Sequence, residues 1–486
     1  MREAPAIGLA LILMKTLAQR PFYQIALVFV VALAVRLLLV FTTNVDWLHG
    51  DGYQFHTLAV NLVRGRGYTM DKDKPFRPHF FREPGYPAFL ASTYVVWELF
   101  GGSCHAADDY LAESERLGVT HPEIQFAKCV QAGVGAVTIT LIFLSLALVM
   151  QSSAAFCLGL ATGVYYPLAL HCTYIWREEF LTLLVTLAAY CLARHWLQRR
   201  VVWLVPAALA IGLAMLTFQA TILLPLAVFP MMLLCRRTVR QTLGGVILVV
   251  FIAFALCAPW IARAYVNCGS WKVARTLGAS LTHEWCAAAE AIRRAEYYGL
   301  FESGEEFNRV FKSEMYGPES GSWTPSIDGH YLRVAAAWSN RMPREGYVSR
   351  RLLSEWAHFL CRGLVKTNWD PVKVETFRAG VIDMLGCRNF LGIALYSVSI
   401  VVGALSAIGL VAWIRELFPI LTSYMYFMGL FWVLGRHERS FLPAHYYLVT
   451  LACLGAYYMF ARGVQRRTRQ EIVSLLFLSR NAVLPH

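Results

Sequence analysis

Gly50-Asp51-Gly52-Tyr53-Gln54-Phe55-His56, then Arg64-Gly65-Arg66-Gly67-Tyr68, then Arg82-Glu83-Pro84-Gly85-Tyr86-Pro87, follow closely on an apolar run at 22–43. These pieces put carboxylates and a crowd of cations beside what reads as a first membrane span. A chain built only to sit in lipid needs neither.

Composition sets the class. The 486 residues are 57% hydrophobic, 14% aromatic and only 15% charged, with a mean hydropathy of +0.48, more apolar surface than a soluble fold can bury. A spanning helix needs roughly 20 predominantly apolar residues. Such runs lie near 22–43, 86–101, 126–150, 154–175, 178–197, 202–218, 219–235, 243–260, 389–414, 417–435 and 441–461. Each is expected to be helical, because in lipid every backbone polar group must be satisfied within its segment. The expected fold is an all-α polytopic membrane protein. The twelve cysteines are scattered and form no C-x-x-C pair, which argues against a zinc or redox centre.

Orientation follows from where arginine collects. Arg194, Arg199 and Arg200 lie between two runs, Arg236, Arg237 and Arg240 between two others, and Arg462, Arg466, Arg467 and Arg469 follow the last. By the positive-inside bias these are cytoplasmic, and Lys15 and Arg20 put the N-terminus there too. The net charge of +13 then reports cytoplasmic loops and lipid headgroups, with no nucleic-acid partner implied. The chain divides into a transmembrane module at 1–260 with an external loop at 44–85, an external region at 261–388, C-terminal transmembrane helices at 389–461 and a cytoplasmic basic tail at 462–486. Within 261–388, Ser349 to Trp369 has the spacing of a helix lying on the membrane surface. The parity of crossings fails if every run spans, and the expectation is that one of 126–150 and 154–175 is short or re-entrant, with Pro167 as the break.

In the 44–85 loop, Phe55, Leu58, Ala59 and Leu62 fall on one helical face, so Asp51 opens a short amphipathic helix. Asp51 there is either a helix cap or a reactive carboxylate. Arg64, Arg66, Lys72, Lys74, Arg77 and Arg82 put six cations in nineteen residues, against the orientation bias. A phosphate at the membrane surface would explain them, since arginine offers it a bidentate fork and lysine a point charge; nonspecific binding of anionic headgroups is the plainer alternative. Gly65 and Gly67 flank Arg66 and fit a shaped loop, and Pro84 and Pro87 set a rigid entry into the next helix. His79 and Glu83 are spaced to share a helical face and are the one candidate pair for a divalent metal.

Asp51 and its aromatic neighbour, Ala59-x-Asn61-Leu62, Gly65-x-Gly67-Tyr68 and Arg82-x-Pro84-Gly85-Tyr86-Pro87 resemble, in that order, the first external loop of the GT-C membrane glycosyltransferases. The resemblance is to the bacterial branch related to protein O-mannosyltransferases and to the aminoarabinose transferase that modifies lipid A. Arg36, Arg177-Glu178-Glu179, Ala258 to Tyr265 and Arg436-His437-Glu438-Arg439 with Pro443 extend it over most of 22–461. The family commonly has Asn where this chain has Ala264.

The resemblance implies transfer of a sugar, with inversion, from an undecaprenyl- or dolichyl-phosphate donor to a lipid, glycan or protein acceptor outside a bacterial inner membrane. By that analogy Asp51 is the general base. Arg82, Arg66, Arg64 and Arg263 are candidates for holding the donor phosphate, and Glu178 or Glu179 is a second acidic site. Tyr53, His56, Tyr68, Glu83 and Tyr86 shape the loop or face the sugar and acceptor. A flippase or transporter of lipid-linked sugars is the alternative. Transporters carry ionisable or helix-breaking residues at the membrane midplane, whereas the charges here gather at one face.

Overall fold

The structure, a computed structural model, describes residues 21–43, 51–80, 82–105, 121–225 and 239–268, with isolated positions beyond them. Every regular element among the described residues is helical. The runs expected at 389–414, 417–435 and 441–461, the surface helix at 349–369 and the basic tail lie outside the described residues, isolated positions apart.

Among the described residues, nine α-helices follow in order: α1 Pro21–Thr42, α2 Asp51–Val63, α3 Gly85–Leu99, α4 Pro122–Ala147, α5 Ser152–Val164, the single turn α6 Tyr166–Ala169, α7 Glu178–Gln198, α8 Leu204–Thr217 and α9 Val239–Cys268. Local chemistry sets several of the boundaries. Pro122 opens α4, where its missing N–H costs nothing. Glu178 and Glu179 sit in the first turn of α7, where negative charge meets the positive end of the helix dipole. That helix ends as Arg199 turns left-handed, with φ 56°. The α9 helix runs through the boundary expected at 260 and on to Cys268, with Pro259 inside it.

Among the described residues, four helices are long and apolar enough to cross a membrane: α1, α4, α7 and Thr242–Asn267 of α9. α1 packs on α4 and α5, α4 on α7, α7 on α8, and α8 on α9. Ala188 and Ala189 of α7 and Ala207, Ala208, Ala210 and Ala214 of α8 are all buried in the common core. Such small side chains let helix backbones approach closely, which is how helices associate where lipid removes the hydrophobic drive.

As expected, one of the runs 126–150 and 154–175 is short: the second gives only the 13-residue α5, which stops at Val164, close to Pro167. Segment 86–101 also falls short of a spanning length. Its helix, α3, has only 15 residues, well short of roughly 20, and both its ends attach to the same end of the bundle. Tyr86 donates to Gln131 of α4, Trp97 packs on Phe126 near the start of α4, and beyond α3 the His105 N–H reaches Glu123 in the first turn of α4 at 3.2 Å. That is also the end at which α1 finishes, since Gln125 Nε2 donates to Val40 O at 3.1 Å. The apolar face of α3 is spent on α2. The second run does break beside Pro167, where α5 stops at Val164 and α6 and a 3-10 turn at Leu170–Thr173 continue it. It still returns to the α1 terminus, where the Cys172 thiol lies 3.8 Å from Arg36 O.

Candidate active site

The amphipathic pattern of α2 works as expected: Phe55, Leu58 and Ala59 are buried and Leu62 half-buried. Phe55 meets Tyr86 edge to face at 5.0 Å. This packing fixes the rotation of α2, so that Asp51 and Gln54, one turn apart, face Arg82. Asp51 Oδ1 accepts a hydrogen bond from Arg82 Nη2, and Gln54 Oε1 accepts one from Arg82 Nε at 2.6 Å. The guanidinium also lies over the Phe55 ring at 5.4 Å. The pair is partly open, with side-chain exposures of 11% for Arg82 and 17% for Asp51.

The loop that delivers Arg82 is tied down from within. Gly65 and Gly67 adopt φ +68° and +82°, the left-handed conformations their positions invited. Asn61 Nδ2 then donates to Thr69 O at 2.8 Å. The Tyr68 hydroxyl donates to Arg82 O and Glu83 O at 3.0 and 2.9 Å. Burial first, and then the charge of Glu83, raise the Tyr68 pKa far above the usual phenol range, so it remains a donor. From α9, Arg263 reaches His79 O and Tyr68 O at 3.3 and 3.4 Å, and Trp260 packs edge to face on Tyr68 at 4.8 Å.

Glu83, the next residue after Arg82, points the other way. Its Oε2 accepts from Arg177 Nη1 at 2.6 Å and its Oε1 from the Gln219 N–H at 3.1 Å. The Glu83 side chain is fully buried. Arg177 stacks over Phe218 at 4.3 Å. Burial works against the Arg177 charge, but Glu83, Glu178 and Asp51 together raise its pKa. One carboxylate thus joins the loop, the start of α7 and the turn after α8.

The two glutamates that the sequence leaves undecided separate here. Glu178 lies on the site side, 3.9 Å from Arg177 Nε. Glu179 turns into the bundle and pairs with Arg36 at 3.9 Å, both of them buried. Arg36 Nη1 also donates to Ala32 O and Gly163 O at 3.1 and 3.2 Å. Room for this pair comes from Gly135, where any Cβ would collide with both Glu179 Oε1 and Arg36 Nε.

Several other candidates are engaged by neighbouring residues. His56 is buried, its ring bonded to the Tyr94 hydroxyl at 2.8 Å and to His105 O at 3.1 Å. Burial lowers its pKa to about 4, so it is neutral at pH 7. Tyr86 is buried and donates to Gln131. These two and Tyr68 are bonded to their neighbours in the loop and adjoining helices, and Tyr53 is half-buried on α2. Arg64 donates to Cys104 O at 3.1 Å, Arg66 to Asn61 Oδ1 at 3.4 Å, and Arg77 pairs with Asp71 on the surface. Of the expected phosphate ligands, Arg82 is the one seated beside Asp51.

The helical face that would join His79 to Glu83 does not form, because residues 79–83 are not helical. His79 Nε2 accepts the Arg82 N–H at 3.2 Å, and burial, ahead of the charges of Arg82 and Arg263, lowers its pKa to about 3. Both Glu83 oxygens are engaged as described. This pair does not fit a metal, and among the described residues no three His, Cys, Asp or Glu groups converge. Sequence reasoning missed Gln54, Gln131 and the Gln219 N–H. For Gln54 the signal was there, in its spacing of one helical turn from Asp51.

Residues 119–262 match the family described as dolichyl-phosphate-mannose-protein mannosyltransferase. No curated protein sequence matches the chain. Among solved structures, the chain is similar to the archaeal oligosaccharyltransferase AglB from Archaeoglobus fulgidus in complex with an inhibitory peptide and a dolichol-phosphate. The two are 13% identical with a TM-score of 0.48, over 93% of this chain and 52% of that one. It is similar also to the Archaeoglobus fulgidus oligosaccharyltransferase complex with Zn and sulfate, at 12% identity and a TM-score of 0.48, over 92% and 51%. The apo form gives 12% identity and 0.49, over 93% and 52%. The chain spans about half the length of these structures. The family match covers residues 119–262, and the 44–85 loop, which resembles that of the GT-C membrane glycosyltransferases, lies outside it.

Proposed function

We propose that the chain is an integral membrane glycosyltransferase that moves a sugar from a polyprenyl-phosphate donor to an acceptor hydroxyl at the Asp51 end of the bundle. The acceptor oxygen bonds to the anomeric carbon from the face opposite the phosphate. The bond from that carbon to the phosphate oxygen breaks, and its electron pair leaves with the lipid phosphate. The acceptor proton passes to Asp51, and the configuration inverts.

The observation that carries this reading is the Asp51–Arg82 pair, a proton acceptor and a guanidinium side by side in a partly open position. Arg82 stabilises charge growing on the leaving phosphate, where a fixed guanidinium near a low-dielectric boundary is worth more than in water. Arg177, which pairs with Glu178, interacts electrostatically with Asp51. Arg64, Arg66 and Arg263 hold the loop in shape. The arginine distribution supports an external active site, with acceptors drawn from lipids, glycans or proteins of the cell envelope.

The test is Asp51→Asn in membranes supplied with polyprenyl-phosphate sugar. Transfer is expected to fall at least about a hundredfold, the low end of what a positioned base contributes, while the melting temperature holds. Full activity in that variant removes the assignment.

A further inference from the structure

Arg82 bonds Asp51 directly, and the proposed reaction asks two anions to use its guanidinium. A carboxylate paired with a guanidinium is a weaker proton acceptor, because the pair favours its charged form. Here the guanidinium is held at two points on one helix face, Nη2 by Asp51 and Nε by Gln54 at 2.6 Å. The hold is near the surface, so an incoming anion can compete for it. The contrast with Glu83 is direct, since that carboxylate is fully buried and bonded through both oxygens.

We propose that Arg82 is shared between Asp51 and the donor phosphate: a lipid phosphate must draw the guanidinium away from Asp51 before Asp51 can take the acceptor's proton. Gln54 is the positioning residue that keeps Arg82 at the branch point while this exchange happens. Donor binding then precedes activation of the acceptor, and Asp51 is held quiet while no leaving group is present. This rests on the reading of Asp51 as the base and Arg82 as the phosphate ligand.

The experiment measures binding of a polyprenyl monophosphate, and of the matching polyprenol, to the full chain in lipid nanodiscs. Asp51→Asn removes the competing anion and is expected to tighten phosphate binding about tenfold, which corresponds to ~1.4 kcal/mol, and to leave polyprenol binding unchanged. The gain is expected to vanish in the Arg82→Gln background. Simple removal of like-charge repulsion between Asp51 and phosphate would survive in that background, so the cycle separates the two causes. Gln54→Glu adds a second carboxylate to the cradle and is expected to weaken phosphate binding several-fold. No tightening in Asp51→Asn, equal tightening for polyprenol, or tightening that persists without Arg82 overturns the proposal. If Asp51→Asn still transfers sugar, the general-base reading falls by itself, and the binding cycle still decides whether the arginine is shared.

Discussion

Arg82 and Glu83 are consecutive residues that send their side chains in opposite directions, each into an ion pair. The Asp51–Arg82 pair is partly exposed, at 17% and 11%, and its partners sit within one loop and the helix leading into it. The Arg177–Glu83 pair is closed, at 9% and 0%, and its partners are 94 residues apart. A charge pair near water can exchange partners with a substrate. A buried one with every oxygen engaged can only hold what it joins, and removing one member leaves an uncompensated charge in a poor solvent.

This contrast is easiest to break at its closed end. Glu83→Ala strands the Arg177 guanidinium and the Gln219 N–H, and is expected to cost about 3 to 5 kcal/mol, read as a large fall in melting temperature or loss of folded protein. A loss under about 1 kcal/mol would mean that the pair is no more structural than a surface one.

Acid sharpens the same contrast. The pKa values of His56 and His79 are lowered in the folded state to about 4 and about 3 from 6.5. The unfolded chain therefore binds more protons between those values, and stability falls as pH drops below 6.5. Between pH 7 and pH 5 each histidine is expected to remove roughly 2 kcal/mol, measured as a pH-dependent melting curve. His56→Gln should flatten its share; an unchanged slope would dismiss the buried, neutral state of His56.

At the open end, Asp51→Asn is expected to shift stability by no more than about 1 kcal/mol, even as transfer is lost. A fall like that of Glu83→Ala would make Asp51 a structural cap instead. The smallest effect belongs to the fully surface pair: Arg77→Ala, with an arginine side chain 80% exposed, is expected to change stability by less than about 0.5 kcal/mol.

The open end of this comparison was legible in the sequence, and the closed end largely was not. Asp51 at a helix start, the apolar face of α2 and the left-handed glycines all follow from local rules, because their partners are a few residues away. Arg177 was visible only as the residue before two glutamates, since its partner Glu83 lies in another element. The choice between Glu178 and Glu179 needed Arg36 and the gap above Gly135, both on other helices. Segment 86–101 misled for a different reason: an apolar run reports that a helix is buried, and α3, short of a spanning length, is buried against α2 and α4.

The grip of α9 on the 44–85 loop bears on how the site is made. Arg263 and Trp260 hold Tyr68 and His79 from positions 184 residues or more further along the chain. A ribosome releases the chain from its N-terminal end, so Asp51 and Arg82 are both in place long before the helix that fixes the loop exists. The loop's tie to α7 and the turn after α8 through Glu83 can form first, and its last hold, on Tyr68 and His79, arrives only with α9.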